Sequence, residues 1–207
     1  MNLFALMLLL AAPADGAVEV ERAFARDAQI DGQWTAFRAY AADDAVMFTP
    51  GAANAHEALE GRDDPISAVM WWPARSYVSC DGQLAVNTGS WIRSRQRSLG
   101  YVTTVWQRQA DGSWKWILDH GDQLEIPRPV GDEPEIRQAV CPTTMLAAQP
   151  GVLASEDGDA GVFASPDQSL RVQWRVEPNG SRHVLVELHN GEEFERVIDD
   201  RIVRDSD

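Results

Sequence analysis

The sequence predicts an α+β protein: N-terminal helices packed on a curved antiparallel sheet, with a small β meander appended at the C-terminus. Three observations carry this. Apolar residues recur every three to four positions from Val18 to Tyr40, the period of an amphipathic helix. After Pro73 the period drops to that of strands, punctuated by Asp81-Gly82 and Asp111-Gly112 turns. From Leu170 onward, apolar and polar residues again alternate between Asn-Gly turns.

The chain of 207 residues, 44% hydrophobic and 24% charged, is long enough for one fair-sized domain with an appendage. Leu3 to Ala12 is apolar and uncharged, and Ala12-Pro13-Ala14 offers small residues where signal peptidase cleaves. Residues 1–14 therefore read as a secretory leader, and the protein as periplasmic or secreted. The run is about half the roughly 20 residues a membrane span needs, so no membrane insertion is expected once the leader is removed. A net charge of −14 repels nucleic acid and anionic membranes alike, which excludes both as partners. Cys80 and Cys141 fit an oxidising compartment, and two readings stand: one disulfide, or two independent buried thiols.

Val20, Phe24, Ile30, Trp34, Phe37 and Tyr40 mark two helical pieces, about Val20 to Ile30 and Gln33 to Tyr40, broken at Asp31-Gly32. Asp27, three residues after Phe24, lies close to the buried side. Ala45 to Thr49 reads as a strand closed by Pro50-Gly51. His56 to Glu60 and Ile66 to Trp71 read as short helices, the second capped by Asp64-Pro65. Four hairpin-linked strands follow: Arg75 to Cys80, Gln83 to Ile92, Tyr101 to Gln109 and Trp114 to Asp122. Residues 125–136, rich in proline and acid, read as a linker between a domain at 18–124 and an extension at 137–207. Three strands are expected in that extension, too few to stand alone.

Tyr-Ala-Ala-Asp-Asp-Ala-Val-Met-Phe (Tyr40 to Phe48), Glu60-Gly-Arg-Asp63 and Trp114-Lys-Trp-Ile-Leu-Asp-His120 together resemble the nuclear-transport-factor-2-like superfamily, in particular its SnoaL-like and uncharacterised bacterial branches. The resemblance covers about residues 18–122 and implies a conical α+β scaffold around a pocket. It does not choose among the isomerases, cyclases, dehydratases and binding modules built on that scaffold.

Strict alternation along the last strand of this block puts Trp114, Trp116, Leu118, His120 and Asp122 on one face, and Lys115, Ile117, Asp119 and Gly121 on the other. The heavier apolar load turns the first face inward and makes His120 the cavity acid or base. Counted from Asp111-Gly112, however, Asp119 falls where the resemblance to SnoaL-like cyclases implies the acid/base aspartate. A β-bulge at Asp119 would reconcile the two counts; without one, Asp119 orients His120. Where ketosteroid isomerases carry their base and oxyanion acid, this chain has Thr49 and Thr104, which disfavours steroid-type isomerisation.

The candidate catalytic residues are thus His120 and Asp119, and the candidate ligand-binding residues are Trp71, Trp91, Trp106, Trp116, His56 and Asp27. No cofactor is expected, since the chain has no nucleotide-binding glycine motif, and no metal, since no Cys/His spacing suits zinc. Three functions follow, binding ranked first: an exported protein that holds a small hydrophobic or aromatic ligand; a cofactor-independent lyase, isomerase or cyclase using His120 and Asp119; or an interaction protein that forms a homodimer through sheet faces or edges.

Overall fold

The computed structural model describes residues 16–142 and 159–204; the expected leader at 1–14 lies outside them. Helix α1 (Gly16–Ile30) buries Ala17, Val18, Glu21, Phe24 and Ala28, spaced at three and four residues. The stripe keeps Phe24 from the expected set but leaves Ile30 71% exposed, because small alanines let the helix lie close to the sheet on that face. Gly32 ends the first helix at a φ of 112° that favours glycine, and helix α2 (Gln33–Tyr40) starts there without a cap of its own.

That cap comes from a distance. The Asp64 carboxylate accepts from Trp34 N, from Thr35 N at 3.1 Å and from Thr35 Oγ1 at 2.6 Å. These bonds satisfy amide donors that the start of a helix leaves open, and they hold Asp64 well below the usual carboxylate range, the Thr35 hydroxyl contributing most. Asp64 is therefore not the cap of a helix at Ile66 to Trp71, and no such helix forms. Ile66 is exposed and the chain enters strand β3 (Met70–Val78), where pairing of Trp71 with Trp91 claims the segment.

Strand β1 (Ala41–Phe48) follows α2 directly, turns through Thr49-Pro50 into β2 (Ala52–Asn54), and leads to α3 (Ala55–Leu59). Asn54 caps α3 by accepting from the His56 and Glu57 amides. Strands β4 (Leu84–Arg93), β5 (Ser98–Arg108) and β6 (Trp114–Leu124) complete the meander with β3. The linker runs into a short strand, β7 (Glu135–Gln138), paired with β3. The sheet order is β2-β1-β6-β5-β4-β3-β7, and both the β1–β6 and β3–β7 pairs are parallel. The sheet is therefore mixed rather than purely antiparallel, because strands joined through helices or a long crossover return to the edges of the meander.

The C-terminal segment forms a second, antiparallel sheet of β8 (Asp159–Ala164), β9 (Leu170–Val176), β10 (Arg182–His189) and β11 (Phe194–Ile202). It has one strand more than the three expected. Strand β8, Asp-Ala-Gly-Val-Phe-Ala, lacks a bulky alternation because Gly161 must leave room for the Trp174 indole: a Cβ there would stand 2.7 Å from the ring. Both sheets contribute to one apolar cluster, with Leu170, Val172 and Val184 joining Val86, Val105 and Leu118. Polar links reinforce the contact. Asp81 and Asp167 exchange amide-to-carboxylate bonds of 2.8 and 3.1 Å, and Cys80 N donates to Ser169 Oγ at 2.8 Å.

Cys80 and Cys141 are disulfide-bonded, with Cα atoms 5.1 Å apart, joining the end of β3 to the segment after β7. Closing a loop of 61 residues restricts the unfolded chain, an effect on the order of 4 kcal/mol in the loop-entropy model. Replacing both cysteines by serine is expected to lower the unfolding free energy by roughly 2–5 kcal/mol. Denaturant titration of the double variant beside the wild type checks this; equal midpoints would refute it.

Candidate functional site

The site is set by one irregularity. In the β5–β6 pairing Trp106 faces Trp116 and Val105 faces Leu118, so Ile117 has no partner of its own. This extra residue reverses the alternation beyond it. Asp119, paired with Thr104, shares the face of Trp106 and Trp116, toward the helices; His120, paired with Thr103, turns toward the second sheet. His120, expected to point into the cavity, borders it but makes its ring contacts on the side of the second sheet, and the reconciling bulge lies at Ile117 rather than at Asp119.

Glu21 enters this face from α1. Its Oε2 accepts from Trp106 Nε1 at 2.6 Å and Asn87 Nδ2 at 3.2 Å, and its Oε1 accepts from Trp71 Nε1 at 2.8 Å. Burial raises its pKa despite these donors. The Thr104 hydroxyl donates to Asp119 Oδ2 at 3.3 Å. Desolvation first, then the neighbouring Glu21, pushes the Asp119 pKa up to about 8. The part of Asp119 that is accessible opens into a pocket.

That pocket encloses about 340 Å³. Trp34 and Phe37 of α2, Trp71 of β3, Trp91 of β4, Met47 and Val69 form its apolar lining, while Gln33, Arg93, Asp119 and Gln123 supply polar groups. Phe24 and Phe37 brace Trp71 at centroid distances of 4.8 and 5.9 Å. Trp91 lies against Gly100, where a Cβ would come within 2.4 Å of the indole, so the ring depends on glycine in the next strand. Gln33 is also held in place: its Oε1 accepts from Val69 N at 3.0 Å.

His120 borders the pocket, but its imidazole is committed to the other side of the sheet. Its Nε2 lies 3.2 Å from the Tyr101 hydroxyl and 3.9 Å from Asp200 Oδ2, and its side chain is fully buried. Asp200 also pairs with Arg128 at 2.6 Å and accepts from Thr103 Oγ1 at 3.2 Å. Burial first, then the positive charges of Arg182 and Arg128, depress the His120 pKa to about 3. At neutral pH it is an uncharged imidazole and a weak base, rather than the near-neutral titrating group the sequence suggested.

The other candidates are dispersed. Trp71 and Trp91 line the pocket, whereas Trp106 and Trp116 are fully buried beneath it as core residues. Trp116 Nε1 is spent on Phe37 O and Trp106 Nε1 on Glu21. His56 sits on α3 away from the lining, and Asp27 accepts from the Tyr40 hydroxyl at 2.7 Å near the far end of α1. Glu21, Gln33, Trp34 and Arg93 were not among the site residues expected from the sequence. The phase of Ala17, Phe24 and Ala28 was the signal that could have placed Glu21 on the buried stripe. Among the described residues no three His, Cys, Asp or Glu side chains converge as a metal site requires.

No protein-family model matches the chain, and a search of curated proteins finds no match either.

Asp119 and His120 titrate with opposite consequences. In the folded protein Asp119 keeps its proton to about 8, against 3.8 for an ordinary aspartate, so its contribution to stability is full below pH 3.8 and lost as pH rises through 8. His120 has a folded value of about 3 against 6.5, so its contribution is present above pH 6.5 and lost as pH falls toward 3. Asp119→Asn is therefore expected to gain stability over the wild type progressively from pH 4 to 8, and His120→Gln to flatten the decline between pH 6.5 and 3. Unfolding midpoints across pH test both; a difference from wild type that does not vary with pH would contradict these assignments.

Proposed function

We propose that this chain is an exported small-molecule-binding protein of the nuclear-transport-factor-2-like, SnoaL-like type, which holds a small hydrophobic or aromatic ligand between its helices and its larger sheet. One observation carries this reading: a pocket of about 340 Å³, walled by Trp34, Phe37, Trp71 and Trp91, that contains one half-buried and mostly uncharged carboxyl, Asp119. Apolar walls with a few placed polar groups are the usual form of small-molecule sites, and rigid indoles bind flat ligands at low entropic cost. The helix order, the strand order β2-β1-β6-β5-β4-β3 and the helices over one face support the cone-like scaffold that the resemblance implies. The disulfide is consistent with an oxidising compartment, and no helix among the described residues is long and apolar enough to cross a membrane.

A second reading rests on the pair Asp119 and Glu21. A carboxyl with a pKa near 8, partly open to a pocket, suits proton transfer at neutral pH, as a lyase, isomerase or cyclase requires. In that enzyme Asp119 would be the acid or base, Glu21 and Thr104 would set its protonation, and His120 would take no part in the chemistry.

A thermal-shift screen of the chain from Asp15, against aromatic, polyketide-like and terpenoid compounds, tests the binding reading, with Asp119→Asn in parallel. A true ligand at a hundred times its dissociation constant is expected to add about 2.7 kcal/mol, which reads as several degrees. Silence across the panel would overturn binding and favour self-association. Turnover of any hit with a pH profile breaking near 8, abolished in Asp119→Asn, would promote the enzyme reading; binding without turnover would exclude it for that compound.

A further inference from the structure

We propose that the ligand is an anion: a flat apolar body lying among the tryptophans, with a carboxylate, sulfonate or phosphate headgroup at the pocket mouth against Arg93. This deepens the binding reading above and rests on it.

The pocket face of β4 is fixed by alternation. Asn87, which bonds Glu21, is followed on that face by Gly89, Trp91 and Arg93. Trp91 and Arg93 both line the pocket, and Arg93 is exposed where its strand ends. The Arg93 guanidinium lies 5.1 Å from the Trp91 ring centroid, so the indole positions the cation beside the opening. A second guanidinium, that of Arg62, lies 4.2 Å from the ring of another lining residue, Trp34. Neither arginine has a carboxylate within ion-pair distance among the described residues. In a chain with 32 acidic side chains and 18 basic ones, other exposed arginines, among them Arg22, Arg75 and Arg201, do meet acids.

The hairpin tip adds to this field. From Arg93 to Ser98 the sequence is Arg-Ser-Arg-Gln-Arg-Ser, which brings Arg95 and Arg97 close behind Arg93 with no acid between them. Against a net charge of −14 the tip is a local positive region, able to draw an anion toward the mouth that the rest of the surface repels.

The interior does not oppose an anion. Of the two acids that border the pocket, Asp122 is paired with Arg204 at 2.8 Å on the side of the second sheet, and Asp119 remains largely protonated at neutral pH. An uncharged carboxyl can donate a hydrogen bond to a ligand oxygen. A planar guanidinium at the rim suits a bidentate oxyanion, and one head-on contact there leaves the apolar body free to fill the cavity.

Two fluorescent probes with the same aromatic body test the idea: anilinonaphthalene sulfonate, an anion, and its uncharged parent, N-phenylnaphthylamine. Titrations use the full chain without its leader, the Arg93→Gln variant, and Val69→Trp, which fills the pocket. Competition of each probe against the other reports whether they share one site. The sulfonate is expected to bind about tenfold tighter than the parent, and Arg93→Gln to remove that advantage while leaving the parent unchanged. High salt should narrow the same gap. Equal affinities, insensitive to Arg93→Gln while the probes still compete and Val69→Trp still excludes them, would overturn the anionic headgroup and leave the pocket standing. Absence of binding, or probes that neither compete nor respond to Val69→Trp, would overturn the pocket reading and this inference with it.

Discussion

The buried carboxyl of Glu21 is the contact on which the rest of the domain depends. It reaches from α1 to Trp71 on β3, Asn87 on β4 and Trp106 on β5, so one acid ties the helix to three adjacent strands. Taking a carboxyl out of water is expensive, and three N–H donors offset that cost only while each holds its position. The same bonds fix the two indoles they involve. Trp71 becomes a pocket wall and Trp106 the layer beneath it, braced by Phe24 at 4.8 and 5.9 Å. Packing and polar satisfaction thus specify one arrangement of helix on sheet, and the pocket is the space this arrangement leaves open.

Two polar clusters sit back to back across the larger sheet, separated by the single step from residue 119 to 120. On the helix side, burial raises the pKa of both Glu21 and Asp119, and the neighbouring Glu21 pushes Asp119 up further, so Asp119 keeps its proton. On the other side, His120 lies near Asp200 but also within the field of Arg182 and Arg128, and burial keeps it neutral. The Asp200 carboxylate is paired directly with Arg128, whose guanidinium also stacks 3.7 Å from the Tyr101 centroid. Arg128 comes from the segment that links β6 to β7 within the larger sheet, and its bond to Asp200 of β11 fastens that segment to the second sheet. Adjacent residues are both uncharged at neutral pH, one by holding its proton and the other by never gaining one.

What could be read in the sequence was whatever has a local cause. The two helices followed from their period, and the hairpin turns from Asp81-Gly82, Asp111-Gly112, Asn179-Gly180 and Asn190-Gly191, whose glycines all take positive φ. What could not be read depends on partners far along the chain. The bulge at Ile117 has no local mark, since Trp-Ile-Leu is an ordinary buried run; it exists because Trp116 and Leu118 each have a partner on β5 and Ile117 has none. That one residue decided which of Asp119 and His120 faces the pocket. The missed strands β7 and β8 are of the same kind, short pieces held by pairing with β3 and β9 rather than by their own pattern. Trp71-Trp72 was read as a helix end because its role is set by Trp91, Phe24 and Glu21, none of them near it in sequence.

The candidate site was half legible for the same reason. Trp71, Trp91 and Asp119 were identified by residue type and strand position, which fix what a side chain can do but not which way it faces. Glu21 was passed over because an acid on an amphipathic helix ordinarily belongs to the solvated face. Its burial becomes intelligible only when the indole N–H groups of Trp71 and Trp106 arrive from the sheet, two donors that themselves need acceptors once buried. Each side of that contact explains the other: without the acid the indoles would be unsatisfied, and without the indoles the acid would not be inside. The pocket inherits this mutual dependence, since Glu21 holds Trp71 as one of its walls and adds to the burial that keeps Asp119 protonated.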